Sequence, residues 1–273
     1  MPFQKLLFKA GINDERTSYS SGGGWYDGDK IRFRQGFPEK IGGWNRISTS
    51  TFQGVCRSLW NWVTLSGFNL VSVGTNLKFY LEQGGAYNDI TPIRATTTNA
   101  ATFAATNGSA VLTVTDSNHG ASVNDFVTYS GAVSLGGAIT AVVLNSEYQI
   151  TEVVNGNTYK ITASATANAS DSGNGGGSIV AAYQITTGQS SVVPLTGWGA
   201  GTWGGGTWGN GLASTEAVRL WSQSNFGEDL IFGPRGGNIY YWDASSGVTS
   251  RGVPLQTLGG ASAVPTHQNF IAI

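Results

Sequence analysis

The chain has 273 residues, of which 11% are charged and 40 are glycine, and its formal net charge is −1. This length suffices for one large β domain or two modest ones. The composition excludes a disordered acidic or basic chain, and the net charge gives no electrostatic reason to bind nucleic acid or a membrane surface. With Cys56 as its single cysteine, the chain cannot form an intrachain disulfide, so the fold must depend on its core or on partner subunits.

The first 47 residues hold much of the charge, with eight basic and five acidic side chains. The first ten residues lack the continuous apolar stretch of a secretory signal, and no run in the chain approaches the ~18 apolar residues of a transmembrane helix. We therefore expect a protein without a membrane-spanning segment that is made in a reducing cytosol.

Short runs of β-branched and aromatic residues, bounded by Gly, Asn, Asp or Ser, follow one another along the chain, and no stretch shows sustained helical periodicity. The predicted strands cover residues 30–33, 69–73, 77–81, 110–115, 125–129, 148–153, 158–162 and 238–242. The predicted fold class is therefore all-β.

The middle of the chain predicts a small β-sandwich or barrel domain of its own, over about residues 96–182. Residues 96–190 contain one basic side chain, Lys160, and five acidic ones, which is a sharp change from the N-terminal composition. Within this region, Asn155–Gly156–Asn157 separates two alternating runs, and Asn-Gly between such runs is a strong hairpin signal.

The two flanks of this middle domain resemble each other. Leu-Trp occurs at 59–60 and at 220–221, and each pair is followed about 20 residues later by an aromatic strand, at 78–81 and at 239–242. A repeat of this length, made of three or four strands, is typical of a propeller blade. We therefore predict a β-propeller-like body into which the small β domain is inserted.

These patterns divide the chain into three parts. Residues 1–95 form an N-terminal arm and a first blade, 96–182 the inserted domain, and 183–273 a Gly/Trp loop and a second blade. The apolar run at 269–273 predicts a strand that opens a third blade. Because propellers usually have about 4–8 blades, we expect the fold to continue beyond residue 273 or to be completed by partner chains.

The sequence offers no recognisable catalytic or metal site. His119 and His267 lack a second ligand at metal spacing, and His119 lies in a turn predicted to face solvent. Cys56 is predicted to be a small buried hydrophobe, and residues 27–29 an exposed turn. Sequence alone does not exclude a pair of carboxylates of the kind that hydrolyses glycosides. We expect no catalytic, cofactor-binding or metal-binding residue and no enzymatic activity.

A glycine-rich segment at 197–211 carries Trp198, Trp203 and Trp208 at intervals of five residues. Glycine permits tight turns, and tryptophan offers a large apolar face with one N–H donor. Two interpretations stay open. The loop grips a neighbouring subunit, a sugar or a base, or its tryptophans pack onto their own sheet. Among partners, we favour protein.

The N-terminal motifs carry a family resemblance. Residues 20–34 read Ser-Ser-Gly-Gly-Gly-Trp-Tyr-Asp-Gly-Asp-Lys-Ile-Arg-Phe-Arg, and residues 36–44 read Gly-Phe-Pro-Glu-Lys-Ile-Gly-Gly-Trp. This stretch resembles the start of the tail nozzle, or tail stabilisation hub, proteins of short-tailed double-stranded DNA bacteriophages. The loop at 197–211 and the Arg-Leu-Trp and Asp-Leu-Ile-Phe runs after it are also similar to that family. The resemblance covers 1–95 and 190–273. The middle domain only loosely resembles small β domains inserted in phage structural proteins.

The resemblance implies a β-propeller body and a virion structural protein. Copies of such a protein form a homo-oligomeric ring, expected to be a hexamer, below the head–tail adaptor and in contact with tail fibre proteins. Phage DNA crosses the channel of the ring during ejection, and a near-neutral or acidic lumen lets it pass without tight binding. The expected location is the virion tail, after synthesis in the host cytoplasm. Known members are longer than this chain.

Two sets of residues are predicted to contact subunits or partners. Lys30, Arg32 and Arg34 are expected to meet an acidic neighbour such as the adaptor ring, and charge reversal there should impair attachment. Normal attachment of that variant would contradict the hypothesis. Trp198, Trp203 and Trp208 form the second predicted set.

Two alternative functions come from different classes. The first is a tail-associated carbohydrate (receptor) binding module built on the Trp loop and the β domain, for which sugar binding lost on Trp203→Ala would be the evidence. The second is a glycan-degrading tail enzyme, which turnover of host polysaccharide would support.

Overall fold

The computed structural model describes residues 8–15, 17, 19–20, 22–43, 45–46, 48–188 and 220–273. The chain divides into two compact units, Met1–Ile47 and Ser48–Ile273. Almost all regular structure in the described residues is antiparallel strand, with one short α-helix and two 3-10 turns. The prediction of an all-β fold is therefore confirmed.

Among its described residues, the N-terminal unit has one β-hairpin, formed by β1 (Ile31–Arg34) and β2 (Phe37–Lys40). The two turn residues, Gln35 and Gly36, both have left-handed φ values, of 53° and 85°. A two-residue turn of this kind matches the twist of its strands, which is why it closes a tight hairpin.

One face of this hairpin packs on an aromatic side chain. The ring of Trp25 lies 6.2 Å from the ring of Phe33, and Trp25 forms a parallel bridge with Ile12. Because side chains alternate along a strand, packing Phe33 inward leaves Arg32 and Arg34 together on the opposite, exposed face.

The described part of the second unit contains three sheets. Its elements, in chain order, are β3 (Cys56–Val63), β4 (Asn69–Thr75), β5 (Phe79–Gln83), β6 (Ala86–Asp89), β7 (Ile93–Thr98), β8 (Thr102–Ala105), β9 (Val111–Thr115), β10 (Phe126–Ser130), α1 (Ala141–Leu144), β11 (Glu147–Asn155), β12 (Thr158–Thr162), β13 (Val180–Gln184), β14 (Trp221–Phe226), β15 (Asp229–Pro234), β16 (Tyr240–Trp242) and β17 (Val253–Pro254), with 3-10 turns at Ala244–Ser246 and Leu255–Thr257.

Strands β3 to β6 form a four-stranded antiparallel meander, and β14 to β17 form another. This is the strand arrangement of a propeller blade, so the two sheets are named here the first and the second blade. Strands β7 to β13 form a seven-stranded sheet in the order β7-β13-β10-β11-β12-β9-β8, which is named the insert sheet.

The two blades pack face to face around one aromatic core. The rings of Phe79 and Phe232 stack with centroids 4.2 Å apart, and the indole N–H of Trp221 donates to the carbonyl of Thr75 at 2.6 Å. The buried apolar residues of this shared core are Trp62, Leu70, Phe79, Leu81, Ile90, Ile185, Trp221, Leu230, Phe232, Tyr240 and Trp242. The core therefore draws on both flanks of the insert sheet.

The insert sheet has a core of its own, which the alternation of the sequence predicts. In β9, Leu112 and Val114 are fully buried, whereas their neighbours along the strand are not. The sheet curls, so that β7 at one edge approaches the residue that follows β9 near the other edge. The Thr97 hydroxyl donates to Asp116 there at 2.5 Å. The hairpin predicted at Asn155–Gly156–Asn157 is confirmed, with β11 paired to β12.

The chain enters and leaves the insert sheet through neighbouring strands. Strand β7 pairs with β13, so Thr97 lies opposite Ala181 and Ala95 lies opposite Tyr183. The sheet spans residues 93 to 184, a few residues more at each end than the interval 96–182. Adjacent entry and exit strands allow a whole sheet to be inserted between two blades.

The strand predicted at 269–273 does not form. The backbone N–H of Ile271 donates to the Ser222 hydroxyl at 2.7 Å, and the Gln268 amide donates to the carbonyls of Gly233 and Pro234. These bonds, with backbone hydrogen bonds between Gln268 and Gly236 and Gly237, place the segment against the second blade, and residues 269–273 add no strand to it.

Candidate interaction surfaces

The exposed face of the β1–β2 hairpin holds the basic residues predicted to contact a partner. Arg32 donates to Glu39 at 3.1 Å, and the Lys30 ammonium lies 3.5 Å from Asp29, with both of the latter side chains 85% exposed. Arg34 projects on the same face as Arg32. Exposed ion pairs of this kind contribute about 0–1 kcal/mol to stability. Because they are this weak, the basic side chains can exchange them for charge contacts with another molecule.

The second predicted contact set lies elsewhere in the chain. Trp198, Trp203 and Trp208 fall outside the described residues. Their contact role stays a prediction.

Large exposed apolar side chains concentrate on one ribbon of the first blade, which comprises β3 and the turn to β4. The members of this apolar ribbon are Val55, Leu59, Trp60, Val63, Leu65 and Phe68, and their exposure ranges from 39% for Trp60 to 93% for Leu65. Large apolar patches that stay exposed on a soluble protein mark protein or membrane contacts.

Strand β3 explains how the ribbon is presented. It lies at the edge of its sheet and pairs only with β4 among the described residues. On its inner face, Trp62 is buried and its indole N–H donates to the carbonyl of Glu228 at 2.9 Å. On its outer face, Leu59 and Val63 are 64% and 57% exposed. Apolar residues thus occur on both faces of the strand, and within the described residues the face of Leu59 and Val63 stays exposed.

An open groove of about 620 Å³ lies at one end of the two blades. It is lined by residues from the β3–β4 turn, by the β14–β15 turn, and by the segment 242–248. Two turns that close neighbouring hairpins at the same end leave a gap between them, which the shared core does not fill. The backbone N–H of Leu65 donates to Glu228 at 2.6 Å and ties the two turns together.

Three carboxylates, Glu228, Asp229 and Asp243, line the groove. Asp229 accepts from the Ala244 N–H at 2.9 Å and from the Tyr241 hydroxyl, and this second hydrogen bond raises the pKa of Tyr241 to about 12. Hydrogen bonds from Ser245 and Ser246 lower the pKa of Asp243. None of the ion pairs among the described residues involves these three carboxylates. The groove is therefore negatively charged.

A buried polar network joins the blades to the insert sheet. Lys78 of the first blade pairs with Asp89 at 2.9 Å and with Glu147 of the insert sheet, and its ammonium lies 4.3 Å from the centre of the Phe126 ring. Arg251, beside the second blade, pairs with the same two carboxylates at 3.3 and 3.6 Å. The charges of two cationic and two anionic side chains thus cancel where the three sheets meet.

A second polar network lies inside the insert sheet. The buried carboxylate of Asp116 accepts from the Tyr183 hydroxyl at 2.7 Å, Tyr183 bonds Tyr159 at 2.9 Å, and Tyr159 bonds Tyr129. Burial raises the pKa of all three tyrosines, to about 12 for Tyr159. The other oxygen of Asp116 has no partner among the described residues. The chain of hydroxyls orders three strands of the sheet.

The prediction that His119 faces solvent is wrong. The side chain is 3% exposed; its Nδ1 accepts from the Ala121 N–H, and its Nε2 donates to the carbonyl of Asn155, both at 3.0 Å. The flanking residues Asn118 and Gly120 both have left-handed φ values, and this turn conformation directs the ring inward against Tyr159. His119 is thus a core residue.

The prediction that Cys56 is buried is also wrong. The thiol is exposed at the start of the edge strand β3, where the register shifts between Cys56 and Ser58. Residues 27 to 29 form an exposed segment, as predicted. Among the described residues, no group of three or more His, Cys, Asp or Glu side chains is placed to hold a metal ion. No described helix has the length and apolar character needed to cross a membrane.

Comparison with known proteins gives a remote structural similarity. No protein-family model and no curated protein matches the chain. Among solved structures, the endosialidase of phage phi92 is similar over 74% of this chain and 28% of its own, with 15% sequence identity and a TM-score of 0.26. The chain thus spans little more than a quarter of that neighbour. A TM-score this low carries no argument about fold or function.

Proposed function

We propose that the chain is a non-catalytic structural protein of a bacteriophage tail, one subunit of a nozzle ring below the head–tail adaptor through which the genome is ejected. The sequence resemblance over 1–95 and 190–273 supports this proposal, and so do the two four-stranded blades built from those flanks. The proposed location is the virion tail, after synthesis in the host cytoplasm.

The observation that carries the proposal is the part of the apolar ribbon that lies on β3. Leu59 and Val63 lie on the open face of this edge strand, and both are more than half exposed. Covering such side chains contributes about 1.5–3 kcal/mol each. In a ring every subunit has a neighbour on each side, so a patch of this kind is covered in the assembly.

The basic hairpin fits a second contact within the same assembly. Arg32 and Arg34 project together from a rigid hairpin, which suits an acidic surface on the adaptor or on a tail fibre protein. Guanidinium groups bind carboxylates through paired hydrogen bonds. DNA in the proposed channel needs no such contact, since tight phosphate binding would oppose its passage.

The assembly state of the chain tests the proposal. Leu59→Asp combined with Val63→Asp introduces two charges on the apolar ribbon, and we expect ring assembly to weaken by more than about 100-fold, equivalent to about 3 kcal/mol. The readouts are light scattering after size-exclusion chromatography and electron microscopy of the particles. Val142→Asp is the matched control, because Val142 is 82% exposed in the short helix α1, between β10 and β11.

Either of two results would contradict the proposal. If the wild-type chain stays monomeric, also when it is mixed with its adaptor, the proposed ring assembly is contradicted. Rings that form equally well from the double variant would show that the apolar ribbon is not the subunit contact.

A further inference from the structure

The groove between the blade turns has walls of mixed chemistry. The aromatic side chain of Phe68 is 58% exposed on one side, and Leu70 lies beside it in the lining. Hydroxyl groups come from Thr64, Ser66 and Ser245. Aromatic and aliphatic surface beside hydrogen-bonding groups is the usual composition of a small-molecule site.

Trp242 supplies an independent sign of a missing ligand. The side chain belongs to the groove wall and is 1% exposed, yet its indole N–H has no acceptor among the described residues. A buried donor without an acceptor costs about 1–3 kcal/mol. A ligand that brings an acceptor to this wall would therefore recover part of that free energy.

Whereas the Trp242 N–H needs a hydrogen-bond acceptor, the carboxylates of Glu228, Asp229 and Asp243 need hydrogen-bond donors. They are acceptors, and no cation among the described residues pairs with them, so they favour a ligand that donates hydrogen bonds. They also repel anions, since three negative charges line one groove. Asp243 stays ionised at neutral pH, because its hydrogen bonds from Ser245 and Ser246 lower its pKa.

These demands select one class of ligand. A bare cation would satisfy the carboxylates but not the Trp242 N–H, and an anionic group would be repelled by Glu228 and Asp243. Sugar hydroxyls both donate and accept, and the C–H face of a sugar ring packs on aromatic side chains such as Phe68. We propose that this groove is a binding site for an uncharged or amino sugar of a glycan, and that it disfavours acidic sugars.

This site goes beyond the proposed structural role and does not depend on it. It is formed by residues of the two described blades. A tail ring that also binds a surface glycan would hold its particle near the cell envelope while the genome leaves.

Binding of the full chain to glycans tests the proposal. The probes are an array of neutral, amino and acidic glycans, followed by calorimetry with maltotriose, triacetylchitotriose and colominic acid, a polymer of sialic acid. We expect neutral or amino glycans to bind and colominic acid not to bind. Trp242→Phe keeps an aromatic ring but removes the N–H, and should weaken binding by about tenfold.

Two further variants separate recognition from stability. Asp243→Asn retains the side-chain shape and an acceptor oxygen for the Ser245 N–H, so the chain should fold normally, as circular dichroism would show, while glycan affinity drops by at least about tenfold. Glu152→Gln, on the insert sheet, is the matched control and should bind as the wild type does.

The proposal is overturned if no array glycan binds, if colominic acid binds at least as well as the neutral probes, or if Asp243→Asn binds unchanged. Titration with Ca²⁺ alone is a further test. Saturable Ca²⁺ binding that Asp243→Asn abolishes would show that the groove is a cation site and would also overturn the glycan proposal. Assembly is measured separately, so a failed ring and a failed glycan site give different results.

Discussion

Replacing Lys78 by methionine asks whether the polar network between blades and insert sheet stabilises the second unit. The Lys78 side chain is 3% exposed and pairs with Asp89 and Glu147. Methionine retains much of the volume but removes the ammonium, so the two carboxylates share Arg251 alone. Breaking a buried ion pair costs about 3–5 kcal/mol. Because Arg251 remains, we expect a loss of about 3 kcal/mol, or ~6–12 °C in Tm for a unit of this size.

Urea denaturation and calorimetry of the full chain measure this loss. Lys160→Met is the matched control, since Lys160 lies 2.9 Å from Glu152, the same separation as Lys78 from Asp89, but on the surface. The control should lose less than about 1 kcal/mol of free energy of unfolding. A loss for Lys78→Met no greater than that of the control would refute the reasoning.

The pH dependence gives a second check on the same variant. Burial alone would raise the pKa of Asp89, but Lys78 and Arg251, with a hydrogen bond from Thr91, hold it below its ordinary 3.8. The stability that Asp89 contributes is therefore present above 3.8 and lost as pH falls through the lower folded pKa. Without Lys78, Asp89 should take up its proton at higher pH. The difference in free energy of unfolding between the variant and the wild type should then become smaller as the pH falls from about 7 to about 4. A difference that stays constant over this range would contradict the prediction.

Two further predictions concern the cores. Gly74→Ala would place a methyl group inside contact distance of the Trp221 ring, which its hydrogen bond to the Thr75 carbonyl holds in place, so we expect a loss of about 1–3 kcal/mol in urea denaturation. Gly259→Ala, with open space around it, is the control, and equal losses would contradict the packing argument. Burial raises the pKa of Tyr159 to about 12, so stability should fall as pH rises from 10 to 12, by on the order of 3 kcal/mol. Absorbance at about 295 nm follows tyrosine ionisation, and native titration of every tyrosine near 10 would exclude the buried network.

The strands and much of their orientation could be predicted from the sequence, because these properties are local. In β9, the alternation at 111–115 predicts the strand, and the structure buries Leu112 and Val114 as that alternation requires. The turn at Asn155–Gly156–Asn157 predicts the β11–β12 hairpin, since two residues suffice to reverse the chain. The likeness of the two flanks predicts two meanders of similar layout, and two four-stranded blades are observed.

The contacts between distant parts of the chain could not be predicted. Lys78 and Glu147 are 69 residues apart in sequence, and nothing in either neighbourhood indicates the pairing. The order of the seven strands depends on which edges meet when the sheet curls, which no local pattern encodes. His119 illustrates the same limit, because its turn sequence indicates exposure whereas its left-handed neighbours direct the ring into the core. The groove joins turns that only the packing of the blades brings together.

The edge strand β3 connects the fold with the proposed function. It has eight residues, one charged side chain, Arg57, and no proline. Soluble proteins commonly protect an edge strand with charge, proline, a bulge or short length. Here the register shift lies near Cys56, before the regular part that carries Leu59 and Val63. Exposed apolar side chains on a long, regular edge strand promote aggregation of an isolated subunit. In an assembly, the same side chains can be buried against a neighbouring subunit. The same feature makes the aspartate variants informative. Because Leu59 and Val63 are already exposed in the described chain, charge there should leave folding intact and act on assembly alone.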